Sequence, residues 1–339
     1  MKKIDVRNAV GQVICQDMTR ITDGTTKDVP FRKGHIIREE DIPVLLAMGK
    51  EHIYVWELHE GFLHENDAAM RLYKITANGG MSASEVKEGK IELFAEHDGL
   101  FLSDTGRLRD INSIDDICIA ARHNHSAVRK GDKLAGMRVI PLVVNESHLT
   151  LAETIAGGEP LFQLLPYRLH KAGVITTGSE VLSGRITDSF TPVLVKKLNE
   201  YGIEMSEHIT VGDKMEDILA AIEKMRASDV QMILLTGGMS VDPDDMTPGA
   251  VKKSGAGIIT YGAPVFPGAM LLLGYYPEGT PVLGLPGCVM YTKATVFDLI
   301  LPRVAAGEAV SKSDIVSLGD GGLCLGCAPC HYPICPFGR

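Results

Sequence analysis

From Lys171 onward, short apolar runs ending on glycine alternate with segments of helical periodicity. That alternation restricts the fold more than any other feature of the chain. AGVITTG and VQMILLTGG read as strands, and the second is almost wholly apolar, which predicts burial on both faces of a parallel sheet. SFTPVLVKKLNEYG sets Val193, Leu194, Lys197 and Leu198 at helical spacing and stops at Gly202. IEMSEHIT is a further strand. DKMEDILAAIEKMRAS is a further helix, with Asp213 as N-cap and Glu216 three residues on, as in a capping box. TPGAVKKSG reads as a helix, PVLGLPG as a strand, and a helix from about Tyr291 to Ala306 closes the unit. The expectation is an α/β fold over 166–310, an open and mostly parallel sheet with helices on both faces.

Residues 1–165 read differently, as a β-rich α+β region. EEDIPVLLAMG predicts one helix, with Ile42, Leu45 and Leu46 on one face and Gly49 as its stop. HIYVWEL, KIELFAEHDGLFLSD and GDKLAGMRVIPLVV predict strands, and nothing here sets a nucleophile beside a base. Residues 311–339 form a tail rich in Gly and Cys. A hydrophobic fraction of 45% marks a globular chain, and 339 residues suit two or three domains. The net charge of −9 argues against nucleic acid and against a polybasic membrane contact. The N-terminus lacks the apolar run of a signal peptide and no stretch reaches the ~20 apolar residues of a membrane span, so a cytoplasmic location is expected.

Ligands of open α/β sheets bind beyond the carboxyl ends of the strands. Three loops leave such ends: 176–190, 236–248 and 284–292. Each starts near a glycine and feeds a helix, a geometry that offers backbone N–H groups to an oxyanion. Gly237 and Gly238 permit close backbone approach, and Ser240 adds a hydroxyl. There is no GxxxxGK[ST], and no GxGxxG follows a strand. The run DPDD sets Asp242, Asp244 and Asp245 beside this turn, with Asp188 in the neighbouring loop. Such carboxylates can hold Mg²⁺ beside a phosphate, accept paired N–H donors from a heterocycle edge, or cap turns and helices.

The order GSE (178–180), D-S (188–189), TGGMS…D (236–245), PG (267–268) and GLPG (284–287) resembles the molybdopterin-binding domain shared by molybdopterin adenylyltransferases and molybdenum insertases. The resemblance spans about 170–305. FRKGHIIREEDIPVLLAMGKEHIYV is more loosely similar to the insertase segment that precedes that domain. The resemblance implies a molybdopterin ligand, free or adenylylated. It implies ligand contacts at Gly178, Ser179, Thr236, Gly237, Gly238, Ser240, Pro286 and Gly287, and acidic positions Glu180, Asp188 and Asp245 serving Mg²⁺, molybdate or the pterin in catalysis. It also implies a homo-oligomer, dimer or trimer, and a partner among molybdoenzymes or biosynthesis proteins. The expected activity is that of a molybdenum-inserting transferase of molybdenum cofactor biosynthesis.

Phe190 and Cys288 stand where the family often has Asn, and Asp242 where insertases often have Gly. DPDDMTP leans toward competence-damage-type proteins, some of which hydrolyse nucleotide pyrophosphates. A metal-dependent hydrolase using Asp242, Asp244 and Asp245 is therefore one alternative, and a non-catalytic pterin carrier or sensor is another. In the tail, Cys324, Cys327, Cys330 and Cys335 follow C-x2-C-x2-C-x4-C, a spacing that suits one Zn²⁺ or one [4Fe–4S] cluster. Cys288 reads as a packed thiol at a helix start. HNH at 123–125 resembles a nuclease motif in letters only, and His35, His52, His59 and His64 read as surface or satisfied core histidines.

Overall fold

The computed structural model describes residues 2–22, 26–55, 61–240, 242 and 245–338. His59 and Asp244 lie outside the described residues. The chain divides into two compact units, one of residues 1–97 and 101–164, the other of 98–100 and 165–339.

The first unit is β-rich, as expected. A four-stranded antiparallel sheet runs Met81–Ala83, Lys90–Ala95, Lys133–Val139, Ile117–Ala121 in spatial order. Its alternating sequence sends Ile91, Leu93, Met137, Val139, Ile117 and Ile119 inward against the Glu65–Thr76 and Glu146–Ala156 helices. A separate core gathers Val6, Ile14, Phe31, Ile37, Leu45 and Ile53 around the Asp41–Ala47 helix.

The second unit holds a six-stranded sheet. We label its strands β1 (Lys171–Thr177), β2 (Glu204–Val211), β3 (Met232–Thr236), β4 (Gly257–Tyr261), β5 (Leu272–Tyr275) and β6 (Pro281–Leu285). Spatial order is β2-β1-β3-β6-β5-β4. The first four are parallel, and β5 and β4 add antiparallel. Helices α1 (Ser179–Leu182), α2 (Thr191–Asn199), α3 (Met215–Ala227), α4 (Thr247–Lys253) and α5 (Val296–Ala305) complete the unit, with α6 (Lys312–Ser317) after them.

Because successive side chains of a strand point to opposite faces, β3 serves two cores. Met232 and Leu234 meet Leu194 and Leu198 of α2 and Phe297, Ile300 and Leu301 of α5. Ile233 and Leu235 meet Ile218, Ile222 and Met225 of α3 with Ala250 and Val251 of α4. The tail is part of this unit: Ile315 and Phe337 are buried in the α2–α5 core, and Cys324 and Cys335 pack against it. No helix among the described residues is long and apolar enough to cross a membrane.

Candidate functional site

The carboxyl ends of β1, β3 and β6 lie side by side, since Thr176 is the register partner of Thr236, and Thr236 of Leu285. This sheet end collects all three loops singled out in the sequence. On the α2–α5 face, Thr176 continues the side of Ala172 and Val174, and Thr236 continues that of Met232 and Leu234. Asp188 reaches the end of β1. Its Oδ1 accepts from the amides of Phe190 and Thr191 (2.9 and 3.0 Å), and its Oδ2 from the hydroxyls of Thr191 and Thr176 (2.6 and 3.1 Å). Ser189 Oγ approaches Met290 Sδ at 2.9 Å, which joins this loop to the turn at Gly287–Met290. Phe190 is buried in the core, where an amide side chain would lack partners.

On the opposite face the glycine turn is held tightly. Thr177 Oγ1 donates to the Thr236 carbonyl (3.1 Å), and Thr247 Oγ1, at the start of α4, donates to the Gly237 carbonyl (3.0 Å). Gly237 and Gly238 have φ of +85° and +56°. The amide of Ser240 donates to Asp245 Oδ2 at 2.8 Å, and the Tyr261 hydroxyl donates to the Met239 carbonyl at 3.1 Å. Burial, and then the charge of Asp245, push the Tyr261 hydroxyl pKa up. The turn thus already holds an anion of its own: the Asp245 carboxylate occupies the Ser240 amide.

The remaining sequence-selected residues separate. Gly178 and Ser179 begin α1, where the Ser179 amide donates to Asp213 Oδ2 at 2.9 Å. Glu180 is exposed on the first turn of α1, Pro286 is buried, Gly287 is exposed, and Asp242 is exposed. Asp213 does not cap α3, as its spacing suggested; Lys214 stands at that cap, without a side-chain bond. The parallel register, which sets Thr177 beside Val211, carries Asp213 to α1 instead. Sequence reasoning missed His208 as well. Its Nε2 lies 3.0 Å from Thr176 Oγ1, 3.4 Å from Thr191 Oγ1 and 3.6 Å from Asp188 Oδ2. A lone histidine in a strand carries no signal until its neighbours are known.

Two metal expectations are corrected. A carboxylate offers about four lone-pair sites, and Asp188 spends all four on its own chain. No three His, Cys, Asp or Glu among the described residues converge as a metal ion requires. Asp188, with its oxygens taken up by four donors of its own chain, therefore does not fit Mg²⁺ as it stands. The tail fails the same test for Zn²⁺ or an iron–sulfur cluster. Cys324 and Cys335 pack against the apolar core, Cys327 is exposed, and no group of metal-ligating side chains gathers there among the described residues. At Cys288, half-buried, desolvation raises the thiol pKa, which suits packing and opposes a reactive thiolate.

Burial raises the Asp188 pKa, but the hydroxyl and amide of Thr191, the amide of Phe190 and the Thr176 hydroxyl outweigh it and hold the group below 3.8. A depressed folded value gives stability that is complete above the unfolded pKa and lost as pH falls through the folded one. Asp188→Asn is expected to cost about 1–2 kcal/mol at pH 6, with the deficit shrinking as the pH falls below 3.8 and through the lowered folded value. Urea melts at pH 6 and in that acid range measure it; an equal deficit at both would show that the carboxylate charge is not what the four donors hold.

Residues 173–306 match the family model of the probable molybdopterin binding domain. This stretch is similar to that domain. Residues 3–57 match a domain of unknown function. A molybdopterin molybdenumtransferase of Synechococcus elongatus is 29% identical over 197 residues, covering 55% of this chain and 46% of the relative. A CinA-like protein of Shewanella frigidimarina is 40% identical over 84 residues, covering 25% and 20% respectively. The chain thus spans less than half the length of either relative. Among solved structures, a CinA protein of Thermoplasma acidophilum is 19% identical, covers 40% of this chain and 98% of its own, and gives a TM-score of 0.35.

Proposed function

We propose that the α/β unit binds molybdopterin at the joined ends of β1, β3 and β6, and that the protein promotes molybdate insertion into it in the cytoplasm. One observation carries the reading. Thr236 is 1% exposed at the end of the central strand, and its Oγ1 is buried without a hydrogen-bond partner among the described residues. An orphaned hydroxyl inside a folded protein costs free energy that a ligand bond can recover. Its place matches the family's phosphate-side loop, between the Asp188 turn and the Pro286–Gly287 loop. In this reading Asp188 and His208 hold the loop in position. The free face of the glycine turn takes the anion, and Asp245 swings off Ser240 when it does. Positioning of the two reactants carries the catalysis.

Thr236→Val tests the proposal, because it removes only the orphan. Stability is expected to stay level or rise, while affinity for molybdopterin falls about tenfold, the worth of one buried hydrogen bond. Affinity can be read from the intrinsic fluorescence quench of anaerobically purified protein. A more stable variant with unchanged affinity would remove Thr236 from the site. The 40% local identity to a CinA-like protein favours a second reading, hydrolysis of a nucleotide pyrophosphate. Metal-dependent release of AMP from such a substrate by the purified chain would replace insertion with that reaction.

A further inference from the structure

The first unit carries a cleft of about 770 Å³ on the solvent face of its four-stranded sheet. Gly136, Ala120 and Cys118 are small and keep its floor low between longer charged side chains. Gly136 is flanked by Glu92 on one neighbouring strand and Ala120 on the other; one pair along, Arg138 is flanked by Lys90 and Cys118. Cys118 is exposed. The rim is cationic: Lys90, Arg122, Lys133 and Arg138 line the cleft with Glu92 as its carboxylate. Lys90 and Lys133 both reach Glu92, so that single carboxylate is shared between two ammonium groups. Arg138 donates its Nε to the Val139 carbonyl at 3.1 Å, and its charge also acts on the Glu65 carboxylate. Arg122 pairs with Asp132 at 3.3 Å, so four cations meet three carboxylates here, a local cationic balance in a chain of net charge −9.

We propose that this cleft binds a small phosphate-bearing molecule with a flat ring body, the ring lying over Cys118, Ala120 and Gly136 and the phosphate held by Arg138 and the two lysines. Volume and charge both favour this class. Small-molecule sites run from about 300 to 1,000 Å³, and a guanidinium flanked by ammonium groups suits a phosphate dianion. The proposal does not rest on the reading of the α/β unit, and either can fail alone.

Cys118 is a built-in reporter. Iodoacetamide labelling of the whole protein, resolved by peptide mass, reads Cys118 against exposed Cys327 as the internal control. AMP is the ring-bearing probe and inorganic pyrophosphate the anion alone. At ten times its dissociation constant, AMP is expected to slow Cys118 labelling about tenfold and leave Cys327 unchanged. Arg138→Gln should abolish the protection. So should Gly136→Leu, which fills the floor without strain, because a Cβ there meets only Ile91 O at 3.9 Å and Lys90 Cε at 4.0 Å. Protection by pyrophosphate alone supports the anion site and removes the ring. Absence of protection by both probes in the wild-type protein overturns the proposal, as does protection that persists in both variants. Protection by hexaglutamate but by neither phosphate probe would overturn it in favour of an acidic protein segment.

Discussion

Gly237→Ala is expected to destabilise the α/β unit by about 2–5 kcal/mol and to abolish ligand binding with it. Two costs add. A left-handed backbone costs a residue with a Cβ roughly 1–2 kcal/mol, and φ here is +85°. The Cβ would also stand 2.2 Å from the Thr177 carbonyl oxygen and 2.7 Å from its hydroxyl, so β1 and β3 would have to part at their ends. Forced displacement of that kind costs about 1–3 kcal/mol more. Gly202→Ala separates the two terms. Gly202 has φ +71° but nothing within 4 Å of the added Cβ, so only the conformational cost applies. Urea unfolding of both variants, followed by circular dichroism, makes the comparison. Equal losses would mean that the turn is not pressed against Thr177, and the described sheet end would be wrong at its centre.

The same contact shows what the sequence could and could not reveal. Strands and helices of the α/β unit were legible because periodicity and glycine stops are local signals, and β1, β3, α2 and α3 fall where they were expected. The last helix starts at Val296 rather than near Tyr291. There Thr295 accepts from the chain while Asp298 reaches back to its amide, a capping box spelled TVFD in the sequence. The glycine pair was read as room for a ligand. The structure adds that the Gly237 Cβ direction points at Thr177, a contact that depends on which strands are neighbours. Asp213 and His208 stayed hidden for the same reason, since parallel pairing across 34 and 32 residues joins them to Ser179 and Thr176. Cysteine spacing in the tail was legible, but the apolar surface that takes up Cys324 and Cys335 belongs to helices far away in sequence.

Asp298→Ala is expected to cost about 3–5 kcal/mol, the second large effect. Lys197 of α2 ion-pairs with Asp298 Oδ1, and the two side chains are only 11% and 10% exposed. Lys197 Nζ also donates to the Lys293 carbonyl at 2.8 Å, while Asp298 Oδ2 takes the amide and hydroxyl of Thr295 at 2.7 and 3.0 Å. Removing the carboxylate strands a buried ammonium and uncaps α5 in one step. Lys197→Met should cost less, because the remaining carboxylate keeps both Thr295 donors. The double variant should recover most of the loss, as apolar replacements of buried pairs are often neutral, and should fall short of wild type by about 1 kcal/mol for the missing cap. A double variant as unstable as Asp298→Ala would show that stranded charge is not the source of the loss. The cycle bears on function because Lys197 ties α2 to the segment that follows the Pro286–Gly287 loop. If that loop meets the ligand, Lys197→Met should weaken molybdopterin binding by more than its stability loss explains, whereas a remote pair would leave affinity unchanged at temperatures where the variant is folded.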